Sequence, residues 1–327
     1  MPETLRIGTR GSRLALWQAD EVAHRLAAAQ PGLRTQRVVL KTTGDRVLDT
    51  PLSRIGDKGL FTKDVEVALL EGRVDLAVHS LKDLPTKLPP GLTLAAVLER
   101  EDPRDVLVSP SGRSVAELPP GARLGTSSLR RRAQLLALRR DLRIEDLRGN
   151  VPTRIARAEA GEYDGVVLAR AGVVRLGLAG KITEVFAPER LLPAVGQGAI
   201  AVEARAGDAT TAGLLFGLDH RPTRLAVEAE RAFLGRLEGG CQAPIGALGT
   251  LTGARLRLVG MVADLDGSTV VRGAEEGEAA TEAEARALGE RLAECLLEQG
   301  ARDLLARILA AVRGAPAVEP SGGGEGD

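Results

Sequence analysis

The sequence predicts an α/β protein with mostly parallel sheets, followed by a smaller α+β unit. Three observations predict it. Short apolar runs alternate with amphipathic stretches through the first two-thirds of the chain. From His220 the order changes to one long helix, then several strands, then a helix. The 327 residues, 44% of them apolar, suffice for about two or three cores.

In chain order, Leu5–Thr9 reads as a strand and Leu14–Ala29 as a helix. Arg37–Lys41 is strand-like, Lys63–Glu71 helical and Asp75–His79 a strand. Leu107–Ser109, a helix after Ser127, Val166–Ala169 and Ala199–Glu203 continue the alternation. Two breaks interrupt it, one at the charged, proline-containing run Glu99–Arg104 and one at Leu192–Gly196. After the helix from His220 come strands at Ile245–Thr250, Arg255–Ala263 and Ser268–Gly273. A single helix is predicted from Glu282 to about Val312, and the Gly-, Pro-, Ser- and Glu-rich stretch from Gly314 to Asp327 is predicted to be disordered.

Composition removes several function classes. Only 2% of residues are aromatic, too few for the stacking platforms of nucleic-acid modules. Lys plus Arg and Asp plus Glu both total 44, so no global field draws the chain to DNA or an anionic membrane. Anion recognition must then come from local clusters. The two cysteines, Cys241 and Cys295, and the three scattered histidines give neither a disulfide framework nor metal-ligand spacing. No run of about 18 apolar residues and no leader pattern at Met1–Ile7 is present, so a cytoplasmic location without membrane contact is expected.

The arginines carry the main chemical signal. Gly125-Thr126-Ser127-Ser128-Leu129-Arg130-Arg131-Arg132 puts hydroxyls and three cations at a helix start. Cations are mildly unfavourable beside a helix N-terminus, whereas exposed N–H groups with Ser and Arg suit an anion. Arg148-Gly149-Asn150-Val151-Pro152-Thr153-Arg154 and Thr9-Arg10-Gly11-Ser12-Arg13 repeat the arrangement. One such junction is equally a set of solvated arginines; three at strand ends favour a ligand with several carboxylates or phosphates.

Other candidates are weaker alone. Asp83, before Leu84-Pro85, has the pattern of a turn or capping residue, although a carboxylate beside cations can also steady a developing cation or relay a proton. Lys82 alone reads as a surface lysine. Cys241, in Glu238-Gly239-Gly240-Cys241, is either a small packing residue or an exposed thiol, and Cys295 reads as core. Gly196-Gln197-Gly198 precedes a strand instead of following one, which excludes a dinucleotide fingerprint; Gly56-Asp57-Lys58-Gly59 lacks the ending of a phosphate-binding P-loop.

Eight segments in one order resemble the hydroxymethylbilane synthase (porphobilinogen deaminase) family. They are Thr9–Gln18, Gly56–Phe61, Ala77–Asp83, Glu101–Asp105, Gly125–Arg131, Leu147–Asn150, Leu192–Gly198 and Leu237–Pro244. The resemblance implies two doubly wound, periplasmic-binding-protein-like domains joined by two hinge crossings, plus a smaller α+β domain. Those units would be 1–99 with 198–218, 100–197 and 219–313. It implies a monomer that joins four porphobilinogen molecules on a dipyrromethane cofactor, held by a thioether to Cys241. Asp83 would hydrogen-bond pyrrole N–H groups, assist ammonia loss and stabilise the azafulvene cation. Lys82, Ser128, Arg130 and Arg131 would hold the cofactor's acetates and propionates, with Thr126 behind them. Arg10, Ser12, Arg148, Arg154 and Arg175 would hold the substrate's, with Gln197 behind and Lys58 on a mobile cover spanning Thr42–Leu60. Arg54, Val174 and Arg13 depart from common family residues and bear on affinity more than on activity. A solute-binding protein or a nucleic-acid regulator would account for the arginines but not for Cys241, nor for the neutral charge.

Overall fold

A computed structural model describes residues 4–42, 62–237 and 243–314, with side chains through residue 310. Cys241, Lys58, Arg54, the greater part of the expected cover and the expected disordered tail lie outside the described residues.

The first sheet is built from β1 (Thr4–Arg10), β2 (Arg34–Leu40), β3 (Leu76–Ser80) and β4 (Leu92–Val97), with helices α1 (Arg13–Ala29) and α2 (Lys63–Leu70) between them. Its order is β2-β1-β3-β10-β4, where β10 (Ile200–Arg205) arrives from far along the chain. Ala15, Gln18, Ala19, Val22 and Leu26 fall on one face of α1 by helical spacing and are buried. Ala19, Val22 and Leu26 share a core with Leu5 and Ile7 of β1 and Val78 of β3. The opposite face of the sheet packs on Val65, Ala68 and Leu69 of α2. Fully burying each such side chain contributes about 1.5–3 kcal/mol.

The second sheet has the same wiring. It contains β5 (Asp105–Val108), β6 (Arg123–Gly125), β7 (Arg143–Glu145), β8 (Gly165–Ala169) and β9 (Glu184–Val185), in the order β7-β6-β8-β5-β9. Helices α3 (Leu129–Leu138), α4 (Val151–Glu159) and α5 (Arg170–Arg175) connect these strands. In both sheets the fourth strand is the one that enters from the other unit, and it runs antiparallel to both neighbours. Four of the five strands in each sheet therefore run the same way, as expected of mostly parallel sheets, with one antiparallel strand inserted. Local βαβ connections give parallel pairs, but a strand arriving through a crossing enters from the opposite end. The two-lobed, doubly wound architecture with a smaller third unit is also as expected.

Residues 98–104 lead from β4 to β5, and residues 186–199 lead back to β10 after a second crossing. The crossings run side by side. Arg100 Nε donates to Gln197 O at 2.8 Å, and Glu101 N donates to Gly198 O at 3.2 Å. Gly198 has φ +92°, and a Cβ there would strike Glu101 O. Helix α6 (Ala209–Leu215) follows β10, and then α7 (Arg221–Arg236) fixes the crossings. Its buried Glu230 pairs with Arg100 and accepts from Gly196 N at 2.7 Å and Gly249 N at 2.8 Å.

The third unit is the antiparallel meander β11 (Ile245–Thr252), β12 (Arg255–Ala263) and β13 (Val270–Glu278), packed on α7 and α8 (Glu282–Leu296). Two expectations are corrected here. The last strand begins at Val270 and runs to Glu278, beyond the predicted Gly273. The single helix from Glu282 breaks at Gly300, whose φ of +105° no helix accommodates, and α9 (Arg302–Gly314) starts after it. Strands β4, β6, β7 and β9 were not predicted; three of them have two or three residues, too few to show a period.

Candidate active site

One wall of the cleft is formed at the C-terminal ends of β1 and β3. Ser12 is extended and caps α1, its Oγ accepting from Ala15 N at 3.2 Å. Strand β3 ends at Ser80, whose Oγ accepts from Gln18 Nε2 at 2.8 Å. A single 3₁₀ turn, Leu81–Asp83, follows. Leu81 is buried, Lys82 is half-buried and Asp83 is exposed. Arg10, Ser12, Gln18, Thr62, His79, Ser80 and Asp83 line a cleft of about 400 Å³, part of it open solvent.

The second wall carries the arginines. Gly125 sits where a Cβ would lie 2.8 Å from Leu147 Cδ2, which lets the chain turn tightly into α3. Thr126 is buried and its Oγ1 accepts from Ser128 N at 3.3 Å. Ser128 caps α3 and accepts from Arg131 N at 3.4 Å. Arg130 and Arg131, each 5% exposed, both point inward at Asp105. Arg130 Nη1 donates to Asp105 Oδ2 at 2.7 Å and to Leu192 O at 2.6 Å. Arg131 donates to Asp105 Oδ1 from Nε at 3.0 Å and from Nη2 at 2.7 Å, and to Val167 O at 2.9 Å. Burial pushes the Asp105 carboxyl up, but the two guanidiniums outweigh it and hold it well below the usual range.

Gln197 extends this network across the crossings. Its Nε2 donates to Asp105 Oδ1 at 2.8 Å and Pro103 O at 2.6 Å, while its Oε1 accepts from Lys82 Nζ at 3.3 Å. Burial, with the charge of Arg131, pushes Lys82 down to about 8, against the pull of Asp83 and Asp105. Asn150 caps α4, accepting from Thr153 N at 3.0 Å, and Arg154 Nε donates to Gly149 O at 2.7 Å. Burial pushes Arg154 down to about 10, with Arg131 and Arg148 adding repulsion and Asp83 opposing. Burial also lowers Arg148.

The site residues therefore fall into groups. Lys82, Asp83, Arg131, Arg148 and Arg154 lie within one electrostatic neighbourhood, and Arg10, Ser12 and Asp83 share the cleft lining. Arg130 and Arg131 spend several of their donors on Asp105. Arg175 sits elsewhere, 5.4 Å over the Trp17 ring of α1 and donating to Gly198 O at 2.7 Å, so it bridges the two lobes. Asp105, Gln18, Ser80 and His79 had no assigned role from sequence. Gln18 was the readable one: a polar residue in an otherwise apolar helical face, 2% exposed.

Cations held against burial and mutual repulsion fit a ligand that brings several carboxylates, since each added anion reverses both penalties. In β11, Gly246 packs against Leu192 O, Pro193 O and the Arg130 side chain. Among the described residues no group of His, Cys, Asp and Glu could hold a metal ion, and no helix is long and apolar enough to cross a membrane.

Comparison with known proteins gives two family matches. Residues 5–213 match the family described as porphobilinogen deaminase, dipyromethane cofactor binding domain, and residues 224–298 match its C-terminal domain. The porphobilinogen deaminase of Pelotomaculum thermopropionicum is 54% identical over 94% of this chain and 97% of its own length. That of Syntrophotalea carbinolica is 53% identical over 93% and 96%. Among solved structures, a methionine-binding protein is similar over 67% of this chain and 90% of its own, at 15% identity and a TM-score of 0.44.

Proposed function

This chain belongs to the porphobilinogen deaminase family, and from that premise we propose how its residues perform the family's reaction. The chain is a hydroxymethylbilane synthase, a transferase of tetrapyrrole synthesis. It joins four porphobilinogen molecules head to tail on a dipyrromethane cofactor and releases hydroxymethylbilane and ammonia. The cofactor supplies the pyrrole α-carbon at which the first substrate is joined. Cys241 anchors it as a thioether, a reading supported by its position four residues before β11, whose Gly246 packs beside the Arg130 side chain.

Lys82, Ser128, Arg130, Arg131 and, from behind, Thr126 hold the cofactor's carboxylates. The donors of Arg130 and Arg131 not spent on Asp105 are those that serve. Arg10, Ser12, Arg148, Arg154 and Arg175 hold the substrate's acetate and propionate together with Lys58, with Gln197 behind them. Asp83, exposed after β3 and electrostatically coupled to Lys82 and Arg154, is the carboxylate that acts at the substrate's aminomethyl carbon. Its carboxylate stabilises the cation that develops as ammonia leaves and accepts the proton shed by the attacking ring. The units 1–99 with 198–218, 100–197 and 219–313 act as the lobes and the cofactor-bearing domain of a cytoplasmic monomer with no nucleic-acid or membrane partner.

The observation that carries this reading is the placement of Asp83 beside Lys82 and within the electrostatic reach of Arg154. Intact-mass measurement of the denatured protein tests it. The wild type carries an excess mass of two pyrrole units, and Cys241→Ser carries none. An unmodified wild type expressed with porphobilinogen available overturns the proposal, and an adduct retained in Cys241→Ser moves the anchor elsewhere. Asp83→Asn retains the adduct but loses at least about a hundredfold in kcat; near-normal turnover removes Asp83 from its role.

A further inference from the structure

Behind the Asp83 wall lies a buried polar cluster that the reaction as described does not use. His79, on β3, is 5% exposed, and its Nε2 lies 3.0 Å from Glu203 Oε2 on β10. Glu203 is 0% exposed. Glu66 of α2 and Thr62 at the helix start complete the group, at 5% and 0% exposure. Thr62 Oγ1, Glu66 Oε1 and both Glu203 oxygens have no well-formed hydrogen bond among the described residues, and neither has His79 Nε2. Two carboxylates buried this way, with so few donors around them, must bind protons or water. Burial and the charge of Glu203 push the Glu66 carboxyl up.

The cluster is not sealed from the reaction. Thr62 and His79 line the same cleft as Asp83, Arg10 and Ser80. The charged groups facing it are Glu66 from α2, Glu203 from β10 and, from α7, Arg231, which is electrostatically coupled to Glu203 and Glu228. Arg231 is itself tied to Pro85 O and Thr86 O, at 2.8 and 3.1 Å.

We propose that His79, backed by Glu203 and Glu66, is the proton exchanger of the cleft, clearing Asp83 between successive additions. This rests on the Asp83 role proposed above. In each addition the substrate's C–N bond breaks with its electron pair leaving on ammonia, and the attacking α-carbon forms the new C–C bond. That carbon then sheds its proton to the Asp83 carboxylate. His79 takes the proton from Asp83, holds it against Glu203 and delivers it to the aminomethyl group of the next porphobilinogen, whose amine must be protonated to leave as ammonia. Asp83 is again a carboxylate, and no other reactant is needed. His79 acts through Asp83, so it is a positioning residue for protons and touches no substrate carbon.

The test uses the holoenzyme, with adduct mass checked for every variant. His79→Gln keeps a donor near the Nε2 position but cannot exchange a proton. The expected result is a kcat lower by about tenfold or more with KM within about twofold, and recovery of rate on adding imidazole in proportion to its concentration. An unchanged kcat and pH profile, or a loss that imidazole does not relieve, overturns the proposal. A missing adduct in the wild type, or a fully active Asp83→Asn, would instead sink the reading it rests on. A second measurement needs no change at His79. The chain has three histidines, so the wild-type His79 ring resonances are assigned by subtracting those lost in His24→Gln and His220→Asn. They should move when porphobilinogen is added to the holoenzyme, and ring resonances that do not respond to substrate overturn the proposal.

Discussion

Asp105 and Glu203 occupy comparable places and meet opposite company. Each is fully buried on the fourth, antiparallel strand of one of two sheets with the same wiring. Asp105 is gripped by two guanidiniums and the Gln197 amide. Glu203 has an imidazole at 3.0 Å and, farther off, the Arg231 charge, with no well-formed hydrogen bond to either oxygen among the described residues. The second lobe therefore has an electrostatically closed latch, which aims its arginine helix and ties it to both crossings. The first lobe keeps a buried carboxylate without such a latch. The repeated scaffold supplies the positions, and the side chains around each acid decide whether it serves as structure or as chemistry.

The largest effect should come from breaking the latch. Asp105→Asn leaves Arg130 and Arg131 buried without a counter-charge, and a loss of about 3–5 kcal/mol is expected in urea unfolding. Glu203→Gln removes a charge that has little compensation, so it should shift stability by no more than about 1.5 kcal/mol in either direction. Equal losses in the two variants would erase the distinction.

Parts of this contrast were legible in the sequence and parts were not. The hydroxyl caps at Ser12 and Ser128 and the Asn150-Val151-Pro152 start were readable because capping is a local interaction. So was the gathering of arginines at strand ends, which follows from βα alternation. What Arg130 and Arg131 face was hidden, because Asp105 lies 25 and 26 residues away and reaches them through sheet pairing. The His79–Glu203 contact is more distant still and depends on a strand delivered by the second crossing. Gly300 could have been read as a helix stop, but the apolar period continues on both sides of it and masked the break.

A smaller effect comes from Lys82, through which the latch meets the cleft. Its folded value of about 8 lies below its ordinary 10.5. Between those values the folded, cofactor-free protein binds fewer protons than the unfolded chain, so its stability rises with pH across that window. Below about pH 8 the buried charge opposes folding; above 10.5 the penalty is gone. Binding runs the other way, since carboxylates need the ammonium. As pH rises through 8, the grip on the cofactor's carboxylates should weaken about twofold by half-deprotonation, measured by intact mass as adduct loading of the cofactor-free protein at limiting porphobilinogen with pH held within the stable range. Lys82→Arg should flatten that dependence, and an unchanged slope would place the titrating group elsewhere.

The smallest expected effect concerns the contact that spans the two lobes, Arg175 over Trp17. A cation on an indole face with partial exposure contributes about 0.5–1 kcal/mol, so a double-mutant cycle with Trp17→Leu and Arg175→Gln should return a coupling of that size. The same cycle separates two duties. If Arg175 only bridges the lobes, both single variants lower stability and neither alters KM. If it also holds a substrate carboxylate, Arg175→Gln raises KM while Trp17→Leu, by freeing the guanidinium, leaves it unchanged or lowers it. The second pattern would mean that lobe contact and substrate compete for one arginine. Closure of the empty cleft and binding would then be opposed at Arg175, in contrast to Arg130 and Arg131, whose partner Asp105 is built in.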